Sequence, residues 1–177
     1  MSGRISIGLF NTYDRSKFRE AHRRALARAA PLAMAFDFNL VTFGFPFPED
    51  ERTPLEIARF VADSTSIGSG GKYFVELAEA GRFHYFELPK SGFPPQFGTV
   101  VITTSRPEMR EIRVEEIGER SLSGESFLLV FGLGPHGMNR KEKRLGKYHL
   151  DLIGKGISME TCTAMGSVSA AVWKSVR

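Results

Sequence analysis

Two glycine-rich segments near the C-terminus carry the residue types that ligand chemistry needs. The first is the apolar run Phe127-Leu128-Leu129-Val130-Phe131 followed by Gly132-Leu133-Gly134-Pro135-His136-Gly137-Met138. A buried strand that runs into such a loop exposes backbone donors and acceptors, and a flat polar ligand such as adenine can pair with them. A tight turn at a strand end uses the same residues, so the loop alone assigns no ligand. The second is Gly154-Lys155-Gly156-Ile157-Ser158-Met159-Glu160-Thr161-Cys162-Thr163-Ala164. Its glycines precede a helix start that offers free backbone donors and a capping hydroxyl. Glu160 favours the helix dipole there whatever else it does. Basic side chains form two further groups. Lys17, Arg24 and Arg28 fall on one face of an early helix, either solvated or facing RNA phosphates, and Arg140, Lys141, Lys143 and Arg144 follow the first glycine loop.

The elements that must position these residues alternate between strand and helix. Ile5 to Phe10 reads as a strand, followed by the turn-prone Asn11 to Asp14. A helix is expected from near Ser16, with Phe18, Ala21, Ala25, Ala29 and Leu32 as its apolar stripe, kinked or ended by Pro31. Phe38 to Phe43 alternates as a second strand. Thr53, Pro54 and Glu56 make a capping-box helix start, with that helix running to about Asp63. Ser64 to Gly71 is small and lacks the Gly-Lys-Ser/Thr ending of a phosphate-binding loop. Lys72 to Ala80 reads as a helix, and Phe83 to Leu88 and Gly98 to Thr104 as strands. Ile112 and Val114 alternate with charged neighbours like a more exposed strand. The last helix is expected from near Ser158 to the C-terminus. This order predicts one α/β domain over residues 1–177, a mainly parallel sheet with helices on both faces.

The 177 residues, 42% hydrophobic and 25% charged, suffice for one core without staples. The single cysteine, Cys162, excludes an internal disulfide framework, and His22, His84, His136 and His149 show no ligand spacing, so no metal is expected. No apolar run is long enough to span a bilayer, and the reading is a soluble cytoplasmic protein. A net charge of +4 leans toward a polyanionic partner.

In this order the two glycine-rich segments resemble the second and third conserved motifs of the SPOUT (SpoU–TrmD) methyltransferase superfamily. There a G-P-E-G-like loop follows one strand, and an S-L-N-V-like or R-T-E-T-A-like segment opens the last helix. Gly134-Pro135-His136-Gly137 matches the first pattern with His in place of Glu, and Ser158-Met159-Glu160-Thr161 lies between the two forms of the second. Thr103-Thr104-Ser105-Arg106 is similar to the T-S-x-R strand end of SpoU-like members. The resemblance covers residues 98 to 177, and is nearest to an uncharacterised SpoU-like group. It implies a C-terminal trefoil knot, a homodimer, and an S-adenosylmethionine site at Thr103, Thr104, Ser105, Gly132, Gly134, Pro135, Gly137, Ile157, Ser158, Met159 and Thr161. It implies methyl transfer to RNA (tRNA or rRNA), most often at a ribose 2'-hydroxyl, or an RNA-binding protein that keeps the knot without catalysis. In SpoU-like relatives the first helix carries an Asn and, six residues later, a catalytic Arg. With Arg28 as that arginine, His22 occupies the Asn position. Glu160 and His136 are the candidate bases for the hydroxyl proton.

Overall fold

The first strand is buried along its whole length, the pattern of a strand covered on both faces of a parallel sheet. The computed structural model describes residues 1–64 and 68–177. The chain runs β1 (Ile5–Asn11), α1 (Glu20–Phe36), β2 (Asn39–Phe43), α2 (Pro54–Ser64), α3 (Ser69–Glu79), β3 (Phe83–Phe86), β4 (Thr99–Thr103), α4 (Val114–Leu122), β5 (Phe127–Leu133), α5 (Arg140–Lys143), β6 (Tyr148–Leu150) and α6 (Thr161–Ser175). Six strands form one sheet in the order β3-β2-β1-β5-β4-β6. All its pairings are parallel. In the centre β1 lies along β5 from Ile5 opposite Phe127 to Asn11 opposite Leu133.

The two faces are covered unequally: the five longer helices pack on one, and the short α5 in the β5 to β6 connection crosses the other. Ile5, Ile7 and Leu9 of β1 and Phe127, Leu129 and Phe131 of β5 pack with Ala29, Ile57, Phe74, Ile117 and Met165, one from each of α1, α2, α3, α4 and α6. Phe10, Leu128 and Val130 point the other way and meet Phe93, Phe97 and Met138, all outside the α-helices. Handedness accounts for this. The β1→β2, β2→β3 and β4→β5 connections all step toward the β3 edge, so right-handed crossovers put their helices on one face. The return from β3 to β4 steps the other way without an α-helix, and its Phe93 and Phe97 cover the opposite side.

Several local expectations shift. Helix α1 begins at Glu20, not near Ser16, so Lys17 precedes it, and it continues through Pro31 to Phe36. Pro31 cannot donate to the Ala27 carbonyl one turn back. That carbonyl faces Gly70 of α3, where a β-carbon would lie 2.5 Å from it. The Thr53 and Glu56 capping box forms as expected, with Glu56 N to Thr53 Oγ1 at 3.2 Å and Thr53 N to the Glu56 carboxylate at 3.0 Å. Val114 opens a helix instead of continuing a strand. Ile112, just before it, does run beside β6, its amide bonded to the His149 carbonyl at 2.9 Å. Strand β6 had no sequence signal, and α6 starts at Thr161 with Glu160 as its cap, not at Ser158. The middle of the Ser64 to Gly71 stretch, residues 65–67, lies outside the described residues.

Helix α1 is anchored to the sheet through His22, which is fully buried. Its Nδ1 accepts from the Arg19 amide at 2.9 Å, so Nε2 carries the proton and donates to Asn11 Oδ1 at 3.2 Å. Asn11 Nδ2 in turn donates to the Gly44 carbonyl at 2.8 Å, joining β1, α1 and the loop after β2. Phe18 stacks on the ring at 5.5 Å.

Two outcomes follow from this packing. Gly70→Ala drives a methyl into the Ala27 carbonyl and should destabilise the fold by about 1–3 kcal/mol in urea titrations, as overpacking does. Burial holds the His22 imidazole below its ordinary value of 6.5. The unfolded chain therefore takes up a proton that the folded chain resists. Stability is full above pH 6.5 and falls as the pH drops below that value. His84 is shifted in the same direction by burial. The His22 share is read by comparing melting temperatures of the wild type and His22→Gln across this range. The variant should show the shallower slope, and an equal slope would remove His22 from the account.

Candidate active site

Carbonyls near the end of β5 take donors from neighbouring elements, as buried polar groups require. Thr12, just after β1, supplies two to the Leu133 carbonyl, from its amide at 2.9 Å and its hydroxyl at 2.8 Å. Thr161, the first residue of α6, donates its hydroxyl to the Gly132 carbonyl at 2.8 Å. Thr103 at the end of β4 donates to the Val130 carbonyl at 2.8 Å. Three hydroxyl side chains thus tie the ends of β1, β4 and α6 to β5. A side chain at Gly134 is excluded, because a β-carbon there would stand 2.7 Å from the Thr12 carbonyl. The turn that follows closes through the Gly137 amide to the Gly134 carbonyl at 3.2 Å, with Gly137 in the left-handed region at φ 63° and open space above it.

These ties enclose a cavity of about 960 Å3 at the carboxyl end of the sheet, where open parallel sheets bind ligands. Thr103, Thr104 and Ser105 come to it from the end of β4. Gly132, Gly134, Pro135 and Gly137 come from the end of β5 and its loop, and Ile157, Ser158, Met159 and Thr161 from the approach to α6. Each residue that the sequence resemblance assigned to a cofactor lines this one cavity.

The proton-transfer candidates separate. His136 is exposed on the turn and lines the cavity. Glu160 lines it too, but one carboxylate oxygen is spent on capping α6, accepting from the amides of Cys162 at 2.9 Å and Thr163 at 3.2 Å. Arg28 does not line the cavity. It is exposed on α1, away from the cavity wall, and the half-buried Cys162 thiol is pushed up by burial. His22 is sealed beneath α1 in the network described above and is likewise away from the cavity wall.

Sequence reasoning missed a charged corner of the same cavity. Glu108 and Lys143 both line it, with Nζ and the Glu108 carboxylate 2.8 Å apart. Nζ also donates to the Arg106 carbonyl at 3.1 Å, and the ammonium holds the Glu108 carboxyl below the usual carboxylate range. Underneath, the buried His149 accepts from the Glu108 amide at 3.0 Å and donates to the Lys143 carbonyl at 2.9 Å. Arg140 reaches the other Glu108 oxygen at 2.9 Å. Of the basic run after the glycine loop, the buried Lys143 and the exposed Arg140 both reach this one carboxylate, while Lys141 and Arg144 are exposed without it. Among the described residues, no group of three or more His, Cys, Asp or Glu side chains is placed to hold a metal ion. Among the described residues, no helix is long and apolar enough to cross a membrane.

Comparison with known proteins places this arrangement. A family model described as "Protein of unknown function (DUF531)" matches residues 5–173. An uncharacterized protein of Methanocaldococcus jannaschii is 36% identical over 170 residues, covering 96% of this chain and 94% of its own. Among solved structures, a probable methyltransferase from Bordetella pertussis Tohama I superposes with a TM-score of 0.63 at 12% identity, over 99% of this chain and 97% of that one. The A. aeolicus TrmH/SpoU tRNA modifying enzyme gives 0.57 at 11% identity, over 98% and 77%. The SpoU methyltransferase AviRb from Streptomyces viridochromogenes, solved with the cofactor AdoMet, gives 0.55 at 11% identity, over 98% and 58%. The chain thus belongs to the family described as "Protein of unknown function (DUF531)", and its fold is that of the SpoU-type SPOUT methyltransferases.

Proposed function

We propose that this chain transfers a methyl group from S-adenosylmethionine to RNA (tRNA or rRNA), at a ribose 2'-hydroxyl. It acts in the cytoplasm as a homodimer whose C-terminal segment is threaded as a trefoil knot. The observation that carries the reading is the convergence of three separate segments, at Thr103, Gly132 and Ser158, on one cavity. The cavity fits that cofactor chemically. Its walls are bare glycine backbone and small hydroxyls, and the open space over Gly137 leaves backbone groups free to meet a flat purine. S-adenosylmethionine would rest between the Gly132 to Gly137 loop and the Ile157 to Thr161 segment and would supply an activated methyl. The chain's own task is alignment, since a well-oriented pair of reactants needs little further help. His136 takes the proton of the attacking hydroxyl, because its imidazole faces the cavity and no capping bond engages it. Glu160 holds the start of α6 with one oxygen and offers the other to the substrate.

A second reading has specific support. His22 is buried where SpoU-like relatives carry an Asn, and Arg28 stands outside the cavity. A protein that binds cofactor and RNA without turnover would look the same.

Calorimetric titration with S-adenosylmethionine should show saturable binding in the wild type. The Gly134→Val variant, whose side chain must displace the Thr12 carbonyl, should lose it while keeping its helical circular dichroism. Absence of binding in the wild type would sink the methyltransferase reading. His136→Ala should keep cofactor affinity and lower transfer of a labelled methyl to unmodified tRNA and rRNA transcripts by roughly 10²-fold, the usual contribution of a general base. Cofactor and RNA binding with no transfer by the wild type would favour the second reading.

A further inference from the structure

A separate cavity of about 620 Å3 opens at the carboxyl ends of β2 and β3, between the loop from Gly44 to Arg52 and the Tyr85 to Leu88 segment. The function proposed above makes no use of it. Aromatic rings build its walls. Phe47 packs against Phe18 at 5.4 Å and Phe45 at 5.7 Å, and stands edge-on to Tyr85 at 5.9 Å. The Tyr85 hydroxyl donates to the Arg52 carbonyl at 2.5 Å and pins the loop over β3. Pro46 and Pro48 keep that loop from continuing the sheet.

The rim narrows the class of occupant. Arg15 and Arg52 bring donors, while Glu49, Glu51 and Glu87 bring acceptors. Three carboxylates against two guanidiniums disfavour a free phosphate or another anion. A neutral, flat group that both donates and accepts around its edge suits such walls and such a rim, and a nucleobase is that group.

Position ties the two cavities together. Tyr13 lines the first and Arg15 the second, so the start of the β1 to α1 loop forms the ridge between them. Arg15 is held there by Glu142 of α5 at 2.7 Å, and Tyr13 is 47% exposed on the crest. Asn11 fixes the base of the ridge to the Gly44 carbonyl at 2.8 Å.

We propose that the second cavity takes an unstacked, amino-bearing base of a single RNA strand, adjacent to the nucleotide presented to the first cavity. The proposal rests on the RNA reading given above. Adenine, guanine and cytosine donate an exocyclic amino group to the carboxylates and accept from the arginines at ring nitrogens or carbonyl oxygens. Uracil has no amino group and occupies the cavity less well.

The test uses a short single-stranded RNA carrying 2-aminopurine, whose fluorescence falls on stacking, titrated into the full chain and into Phe47→Leu and Glu51→Gln. Phe47→Leu keeps apolar bulk and removes the ring. The expected result is quenching by the wild type, with quenching lost and affinity about tenfold weaker in Phe47→Leu, as removal of one base–aromatic stack produces. S-adenosylmethionine affinity should stay unchanged in that variant, and its melting temperature should fall by only a few degrees, because the ring also packs against Phe18, Phe45 and Tyr85. Oligocytidylate should outcompete oligouridylate of equal length on the wild type, and Glu51→Gln should reduce that preference. RNA binding without quenching, or equal quenching by Phe47→Leu, would overturn the second cavity as a base site. So would the absence of RNA binding by a protein that binds the cofactor. Quenching by a wild type that fails to bind S-adenosylmethionine would keep the base site and bring down the methyltransferase reading instead.

Discussion

The parallel pairing of β1 with β5 sets the geometry of everything at the carboxyl end of the sheet. It brings Thr12 under the last carbonyl of β5 and so fixes where the glycine loop leaves the strand. It also places the ridge from Tyr13 to Arg15 beside that loop. The cavity depends on this register. A slip of one residue would turn Leu129 and Phe131 to the wrong face and carry Leu133 away from its two donors.

Much of the cavity wall is main chain held by hydroxyls, with few side chains that act by charge. Such a wall tolerates change at Pro135 or Met159 more readily than at Thr161 or Gly134, where a single atom decides the position of a strand end or a helix start. The exception is the corner of Glu108 and Lys143. There a carboxylate and an ammonium are held by bonds to the Arg106 carbonyl and, from below, by His149, which leaves them little freedom to reorganise. A charged pair fixed in this way is a rigid dipole at the edge of the cavity, and it constrains which polar groups can approach.

The parts of the fold that sequence made legible are those whose cause is local. The capping of α2 by Thr53 and Glu56 needs only residues three apart, and it appears as expected. The two glycine-rich segments were found because loops of this kind need glycine at fixed offsets. Helix α4 was misread because Ile112 does lie along β6 while Val114 has already turned into the helix, so one alternating stretch serves two elements. The pairing of Lys143 with Glu108 and the burial of His149 had no local signal, since the partners meet only when β4 and β6 are side by side. The unequal cover of the two faces was hidden for a different reason. Element order shows that strands and helices alternate, but the face each helix takes depends on the direction in which successive strands step across the sheet.

The central seam has a consequence for how the chain reaches this state. Strands β1, β2 and β3 can associate as soon as they have been made, but the other edge of β1 stays open until Phe127 to Leu133 has been synthesised. Contacts that span most of the chain form slowly, because a long loop must close before they repay its entropy. During that interval β1 presents an apolar, unpaired edge on which another nascent chain can add a strand. Slow translation through the second half, or a chaperone that covers Ile5 to Asn11, would therefore change the yield of folded protein without altering its final stability.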